Sequence, residues 1–281
     1  MLIAQISDTH ITANGNKSYG IASMADNLKR CVSHINQLSL KPDVVLVTGD
    51  ISYSDQMDEY QLSAQILDTL EMPYFVIPGN HDSRDKLRAV FTNSHCPDVA
   101  QDKADAMPAA PINYVIDHFP LRLVALDSTR PGHPGGQIDA QRARWLDTIL
   151  KKECNRPTII FTHHPPLNLS VLETDEDGFA GSEILAQILL QHPQVERILC
   201  GHVHLSTYSQ WQNTTVTTAP SIGMQLYLDL TMQEPSQFLL SEPAYQLHHW
   251  TTEQNLVTHT VTVTDQTQKY LFAEVNHFAR I

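Results

Sequence analysis

Five short groups of residues in this chain carry donors for metal ions: Asp8-Thr9-His10, Gly49-Asp50, Gly79-Asn80-His81-Asp82, Thr162-His163-His164 and Gly201-His202-Val203-His204. The donors are carboxylate, imidazole and amide oxygen with no thiolate, a set that suits manganese, iron, zinc, cobalt or magnesium better than cuprous copper. Singly, each group has an ordinary reading. Asp-x-His after a strand is commonly a helix cap or a surface pair, and Gly-Asp is a turn. Taken together, all at predicted strand ends, they describe a site for two divalent cations. Asp50 is the natural bridge, because a carboxylate offers two oxygens and this one sits centrally among the groups. With Asp8 and Asp50 ionised, the histidines and Asn80 neutral and one hydroxide between the ions, two divalent metals leave a net charge of about +1. Such a site attracts a phosphodiester monoanion. His164 stays outside the ligand set, since it follows His163 and can pack under Pro165 and Pro166. Cys200 reads as a buried core residue, and His133, His248 and His249 as surface or packing residues.

A scaffold must bring positions 8 to 204 into one crevice. Short β-branched runs at Leu2 to Ile6, Asp43 to Val47, Tyr74 to Ile77, Thr158 to Phe161 and Val195 to Leu199 predict strands that end just before the five groups. Between them, amphipathic spacing predicts helices through Met24, Leu28, Val32 and Ile35, over Glu59 to Leu70, after Asp82, around Trp145 and over Glu183 to Leu190. Two further strands, Tyr114 to Ile116 and Leu121 to Leu126, form a pair joined through Pro120. This alternation predicts βαβ units, and in open α/β sheets the carboxyl ends of the strands gather at one edge. Glycine precedes three of the groups and lets the backbone leave the strand sharply. After His204 the pattern becomes strands without helices, and from Met224 onward Thr, Gln and His dominate, with hairpin-like runs such as Leu256 to Val263. The expectation is a catalytic domain over residues 1–223 and a small C-terminal cap or association segment over 224–281, able to supply a homo-oligomer contact. Residues 92–111 and 164–180 follow neither period; loops of that length often carry function.

Composition narrows the partners. Lys plus Arg number 18 against 31 Asp plus Glu, so the net charge of −13 repels a nucleic-acid polymer. The four cysteines lie far apart, against both a disulfide framework and a thiolate zinc site, and a reducing compartment fits them. The chain enters a strand at Leu2 without a secretory leader, and no apolar stretch approaches ~18 residues, so a cytoplasmic protein with no membrane partner is expected.

The series Asp-x-His, Gly-Asp, Gly-Asn-His-Asp, His-His-Pro-Pro and Gly-His-x-His, running from Asp8 to His204, resembles the calcineurin-like metallophosphoesterases. Within that superfamily it is most similar to the bacterial class III cyclic nucleotide phosphodiesterases and the glycerophosphodiesterases, which share the run Ile6 to His10 and the segment Gly79 to Asp82. The resemblance implies a four-layer α/β/β/α sandwich and a cofactor of two divalent ions, manganese, iron, zinc or cobalt. It implies Asp8, His10, Asp50 and His204 on one metal, and Asp50, Asn80, His163 and His202 on the other. His81 would face the phosphate and steady the transition state or protonate the leaving oxygen, as imidazole can near neutral pH. Asn80, His81 and Tyr53 would stand beside the substrate.

Departures exclude some relatives. Ile51-Ser52-Tyr53 replaces the Asp-Arg-Gly that follows Gly-Asp in the Ser/Thr protein phosphatases. Gly49-Asp50-Ile51-Ser52-Tyr53 also resembles the Gly-Asp-x-x-Tyr element of purple acid phosphatases, where the tyrosine binds iron. Here His10 can fill that coordination position, and neutral imidazole binds without the deprotonation that a phenol of pKa near 10 requires. Tyr53 is therefore expected at the cleft and off the metal. The expected reaction is in-line attack of a metal-bound hydroxide on a small phosphodiester. A 3′,5′-cyclic nucleotide such as cyclic AMP is the first choice and a glycerophosphodiester the second. The rival from another class is a metal-binding regulatory protein without activity, and the intact Asn80-His81 pair stands against it.

Overall fold

The computed structural model describes residues 1–92, 94–97, 110–265 and 268–271, so most of the unpatterned segment 92–111 and the end of the expected C-terminal segment lie outside the described residues. The first part of the chain forms β1 (Leu2–Ile6), α1 (Met24–Asn36), β2 (Val44–Thr48), α2 (Met57–Leu67), β3 (Tyr74–Ile77) and α3 (Arg84–Val90). There follow β4 (Tyr114–Ile116), β5 (Arg122–Ala125), β6 (Gly136–Gln137), α4 (Ala140–Lys152), β7 (Thr158–Phe161), α5 (Leu172–Asp177), β8 (Phe179–Ala180), α6 (Ser182–Gln191) and β9 (Val195–Cys200). The last part is all strand: β10 (Thr207–Trp211), β11 (Thr214–Thr218), β12 (Met224–Leu226), β13 (Phe238–Leu240), β14 (Ala244–Trp250) and β15 (Leu256–Thr262).

Two sheets carry the structure. One has the order β15-β14-β1-β2-β3, the other β10-β11-β9-β7-β5-β4. β1, β2 and β3 run parallel, as do β5, β7, β9 and β11. Strands of this kind are covered on both faces, so Val44 to Thr48 are all buried. The period-2 alternation of side chains sorts the second sheet between two cores. Leu123, Ala125, Ile159 and Phe161 join the core shared with the first sheet, α1 and α2. Their neighbours Val124 and Ile160 face Leu146 and Leu150 of α4 and Leu185 and Leu189 of α6. Helix, sheet, sheet and helix thus make the four expected layers. Among the described residues no helix is long and apolar enough to cross a membrane.

The expected boundary at residues 223 and 224 needs correction. β14 is antiparallel to β1, with Leu2 opposite His249 and Gln5 opposite Gln246, and β15 pairs with β14. Both are strands of the core sheet and not a separable cap. The polar composition misled because Gln246 and His248 of β14 are buried and hydrogen-bonded within the core, while the polar side chains His259, Thr260 and Thr262 of β15 face outward. Gln246 Nε2 donates to Thr218 O at 3.0 Å, and His248 Nε2 donates to Gln5 Oε1 at 3.0 Å while its Nδ1 accepts from Thr258 Oγ1 at 2.8 Å. Gln5 Nε2 in turn reaches Thr48 Oγ1 and Cys200 O, both at 2.9 Å, so a polar seam ties the sheets together. β12 and β13 form a small sheet of their own, as do β6 and β8.

Candidate metal centre

The five groups leave β1, β2, β3, β7 and β9 at one end of the two sheets. The first two are zipped together: Asp8 N–H donates to Gly49 O at 3.2 Å and His10 N–H to Asp50 O at 2.8 Å. Asp82 fastens the third, its carboxylate accepting from the backbone N–H of Ile51, Ser52 and Gly79 at 3.0, 3.0 and 2.9 Å. The turns are tight enough that Asp8, His10, Asp50, His202 and His204 all have positive φ, between 40° and 72°. Non-glycine residues adopt that left-handed conformation at some expense, and such residues concentrate at functional sites. Gly79 is required for room. A Cβ there would lie 2.1 Å from Asp50 Oδ1.

The side chains converge. Asp8, His10 and His204 each offer one donor, all within 4.8 Å of one another, and so do Asp8, Asp50 and His163. His10 Nε2 lies 3.0 Å from His204 Nε2, and His204 Nε2 lies 3.6 Å from Asp8 Oδ1. On the other side Asn80 Oδ1 lies 3.0 Å from His163 Nε2 and 3.1 Å from His202 Nδ1. Between the halves stands Asp50, whose Oδ2 is 3.6 Å from His10 Nε2 and 3.4 Å from His163 Nε2. Its Oδ1 instead accepts the His81 N–H at 2.9 Å. A single oxygen of Asp50, and not one on each side, therefore faces both halves.

The chemistry of these contacts calls for cations. His204 Nδ1 donates to Met224 O at 2.8 Å and His163 Nδ1 to Thr48 O at 2.8 Å, which leaves a lone pair on each Nε2. Those lone pairs point at other acceptors: the His10 ring nitrogen, Asn80 Oδ1 and the Asp50 carboxylate. Acceptors gathered in a buried space repel one another unless a proton or a metal lies between them. Backbone carbonyls behind ligand imidazoles are the usual way of fixing tautomer and ring orientation for a metal. The donor set thus fits two divalent ions.

Electrostatics agree. Burial pushes the Asp50 carboxyl up, but His163 and His10 beside it hold it well below the usual carboxylate range. Burial opposes a charge on His163, but Asp50 beside it draws its pKa up to about 9. Burial, then the neighbouring imidazoles, lowers His202 to about 3. Burial, only partly countered by Asp50, sends His10 well below its ordinary value, keeping it neutral.

His164 is adjacent but engaged on both ring nitrogens, by Ser128 Oγ at 2.8 Å and Pro134 O at 2.9 Å, and packs edge-on to His163. His81 is engaged on one only: Nδ1 donates to Tyr53 O at 3.0 Å, leaving Nε2 as its free nitrogen. A cavity of about 330 Å³ opens onto the centre, lined by His10, Asp50, Asn80, His81, His202 and His204. Tyr53 does not line it. Its ring stacks beside His81 and packs edge-on against Tyr19, and Tyr19, not Tyr53, meets the cavity. Glu173 and Asp177 of α5 and Phe238 of β13 also stand on its wall. None of these four was singled out from the sequence; α5 lies in the unassigned segment 164–180.

The profile of the calcineurin-like phosphoesterases matches residues 1–206. A probable glycerophosphodiester phosphodiesterase from Arcobacter nitrofigilis is 35% identical over 268 residues, covering 92% of each chain. A 3′,5′-cyclic adenosine monophosphate phosphodiesterase from Vibrio vulnificus is 28% identical over 223 residues, 79% of this chain and 77% of its own. Among solved structures, a dimetal phosphatase from Danio rerio superposes with a TM-score of 0.61 at 16% identity, over 94% of this chain and 99% of the other, which shows the fold. The four-layer fold, the gathered donors and the matching profile place this chain in the calcineurin-like phosphoesterase family, as a divalent-metal hydrolase of phosphoric diesters.

Proposed function

We propose that the chain hydrolyses a small acyclic diester of the glycerophosphodiester class. The observation that carries this is a second cavity, of about 360 Å³, that meets the first at Asn80 and His81. It is lined by polar groups that include Asp55, Ser83, Asp85 and Arg130. A phosphate held between the two cavities can send its two alcohol groups in opposite directions, the polyol into the polar one. A 3′,5′-cyclic nucleotide carries both ester oxygens on one ribose and would leave one cavity unused. The likeness to the Arcobacter protein, named for glycerophosphodiesters, runs over 92% of this chain and supports the same choice. The cyclic nucleotide, first on sequence alone, becomes the second reading, supported by the likeness to the Vibrio protein.

In this reading Asp8, His10, Asp50 and His204 hold one ion, and Asp50, Asn80, His163 and His202 the other. The bound cations supply Lewis-acid charge at the phosphate oxygens and make a coordinated water nucleophilic near neutral pH. Asp50 Oδ2 sets the spacing of the halves, while its Oδ1, tied to the His81 N–H, fixes the direction of the Asn80-His81 turn. Asn80 orients the phosphate edge. His81, steered by Tyr53 O, presents Nε2 to the ester and, when protonated, donates to the departing alkoxide.

Two measurements test this. Turnover of bis(p-nitrophenyl) phosphate should vanish on chelation and return with manganese, zinc or cobalt; full activity of metal-free protein would end the mechanism. In a substrate panel, kcat/KM for glycerophosphoethanolamine should exceed that for cyclic AMP by at least about tenfold, the scale of one net hydrogen bond. The reverse order would restore the cyclic nucleotide.

A further inference from the structure

We propose that Glu173 and Asp177, with Tyr19 and Phe238 nearby, form a subsite for an ammonium group on the alcohol of the substrate. This rests on the diesterase reading above and adds which alcohol is preferred and which residues choose it.

The short helix α5 contains Glu173, Asp175, Glu176 and Asp177. Asp175 has a structural task, its carboxylate accepting from the N–H of Leu169 at 2.8 Å and Ser170 at 2.9 Å. Glu173 and Asp177 have none: among the described residues no side-chain hydrogen bond or ion pair engages either. They stand four residues apart, on one face, where like charges weaken a helix. On an open surface such a pair would be an ordinary solvated face. Here both line the cavity onto which the metal donors open, so whatever binds with its phosphate at the centre lies beside them.

Tyr19 and Phe238 also line this cavity. Tyr19 packs against Phe238 at 5.3 Å and against Tyr53 at 5.0 Å, centroid to centroid, and is half exposed. Aromatic faces together with carboxylates are the recurring way of holding an ammonium ion. A substrate carrying only negative charge would meet repulsion at this rim. A zwitterionic diester, with its phosphate on the cations and its ammonium at Glu173 and Asp177, satisfies both ends.

The test compares glycerophosphocholine with its uncharged carbon isostere, the 3,3-dimethylbutyl ester. Wild-type enzyme should favour the cationic ester in kcat/KM by about tenfold or more. The ratio should fall to near one in the E173Q/D177N double variant and below one in E173K/D177K. A wild-type ratio near one, or a ratio that neither variant changes, overturns the subsite. If metal-loaded wild-type protein turns over no diester at all, including bis(p-nitrophenyl) phosphate, the diesterase reading fails separately. The subsite is then read by calorimetric binding of the same two esters, where equal affinities overturn it and a cationic preference lost in E173Q/D177N upholds it.

Discussion

His81 separates binding from chemistry at the scale of single residues. Its backbone N–H holds Asp50 Oδ1 and its Nδ1 is committed to Tyr53 O, so the side chain has one free nitrogen and touches the centre without a second point of attachment. His81→Ala should keep the backbone contact and the metal donors, and lower turnover by roughly 10²- to 10⁴-fold, the usual range for losing general acid assistance. Metal content by elemental analysis alongside kcat is the check; loss of both ions would make His81 a ligand. The donors could be read from sequence because each sits in a short motif with its own chemistry, and the structure brings them together. Tyr19, Glu173, Asp177 and Phe238 could not. Each is an unexceptional residue in its local context, and its place on the cavity wall depends on how loops distant in sequence fold back. Asp50 shows a finer limit: two oxygens suggested one per metal, and only the competing His81 N–H assigns them differently.

Among the elements, the strands ahead of the metal donors were legible to within a residue or two, since β-branched runs covered on both faces have little else to be. α5 and the two-residue strands β6 and β8 were not, being too short to show a period. β14 was misjudged because Gln246 and His248 are fully buried, with Gln246 Nε2 and both ring nitrogens of His248 hydrogen-bonded within the core. This divides the C-terminal part in two, with a measurable consequence. Replacing residues 228–236, within the 227–237 connection from β12 to β13, by a Gly-Gly turn should leave folding and metal content intact and alter substrate preference, because Met224 O, the partner of His204 Nδ1, is retained. Truncation before Ala244 should instead abolish the fold, since it leaves β1 with an unpaired edge. Circular dichroism and metal analysis of the two variants distinguish these outcomes. A folded, metal-binding chain ending at residue 243 would show that β14 is dispensable.

For the whole molecule, the seam between the sheets contributes to the response to acid apart from the histidines of the metal centre. Burial, and then Arg197 nearby, lowers His248 to about 3 from an ordinary 6.5. Below pH 6.5 the unfolded chain binds a proton there that the folded chain refuses until about 3. The stability this contributes is therefore complete above 6.5 and drains away as pH falls, by up to about 1.4 kcal/mol per pH unit for one proton. His248→Gln, which can still donate to Gln5 Oε1, should make unfolding free energy less steep with pH between 7 and 5 by close to one proton. Denaturant titrations at several pH values check this; an unchanged slope would place the acid sensitivity elsewhere. The same seam bears on biosynthesis. The sheet that holds Asp8, His10, Asp50, Asn80 and His81 gains its fourth and fifth strands only when β14 and β15 arrive, and β14 is the direct neighbour of β1. A chain emerging from the ribosome exposes all its metal donors by His204, but β1 stays open along one edge until Trp250 has cleared the exit tunnel. The sheet that carries the donors is therefore closed along β1 only after β14 is added, and a ribosome stalled between those positions displays donors on a sheet with one open edge.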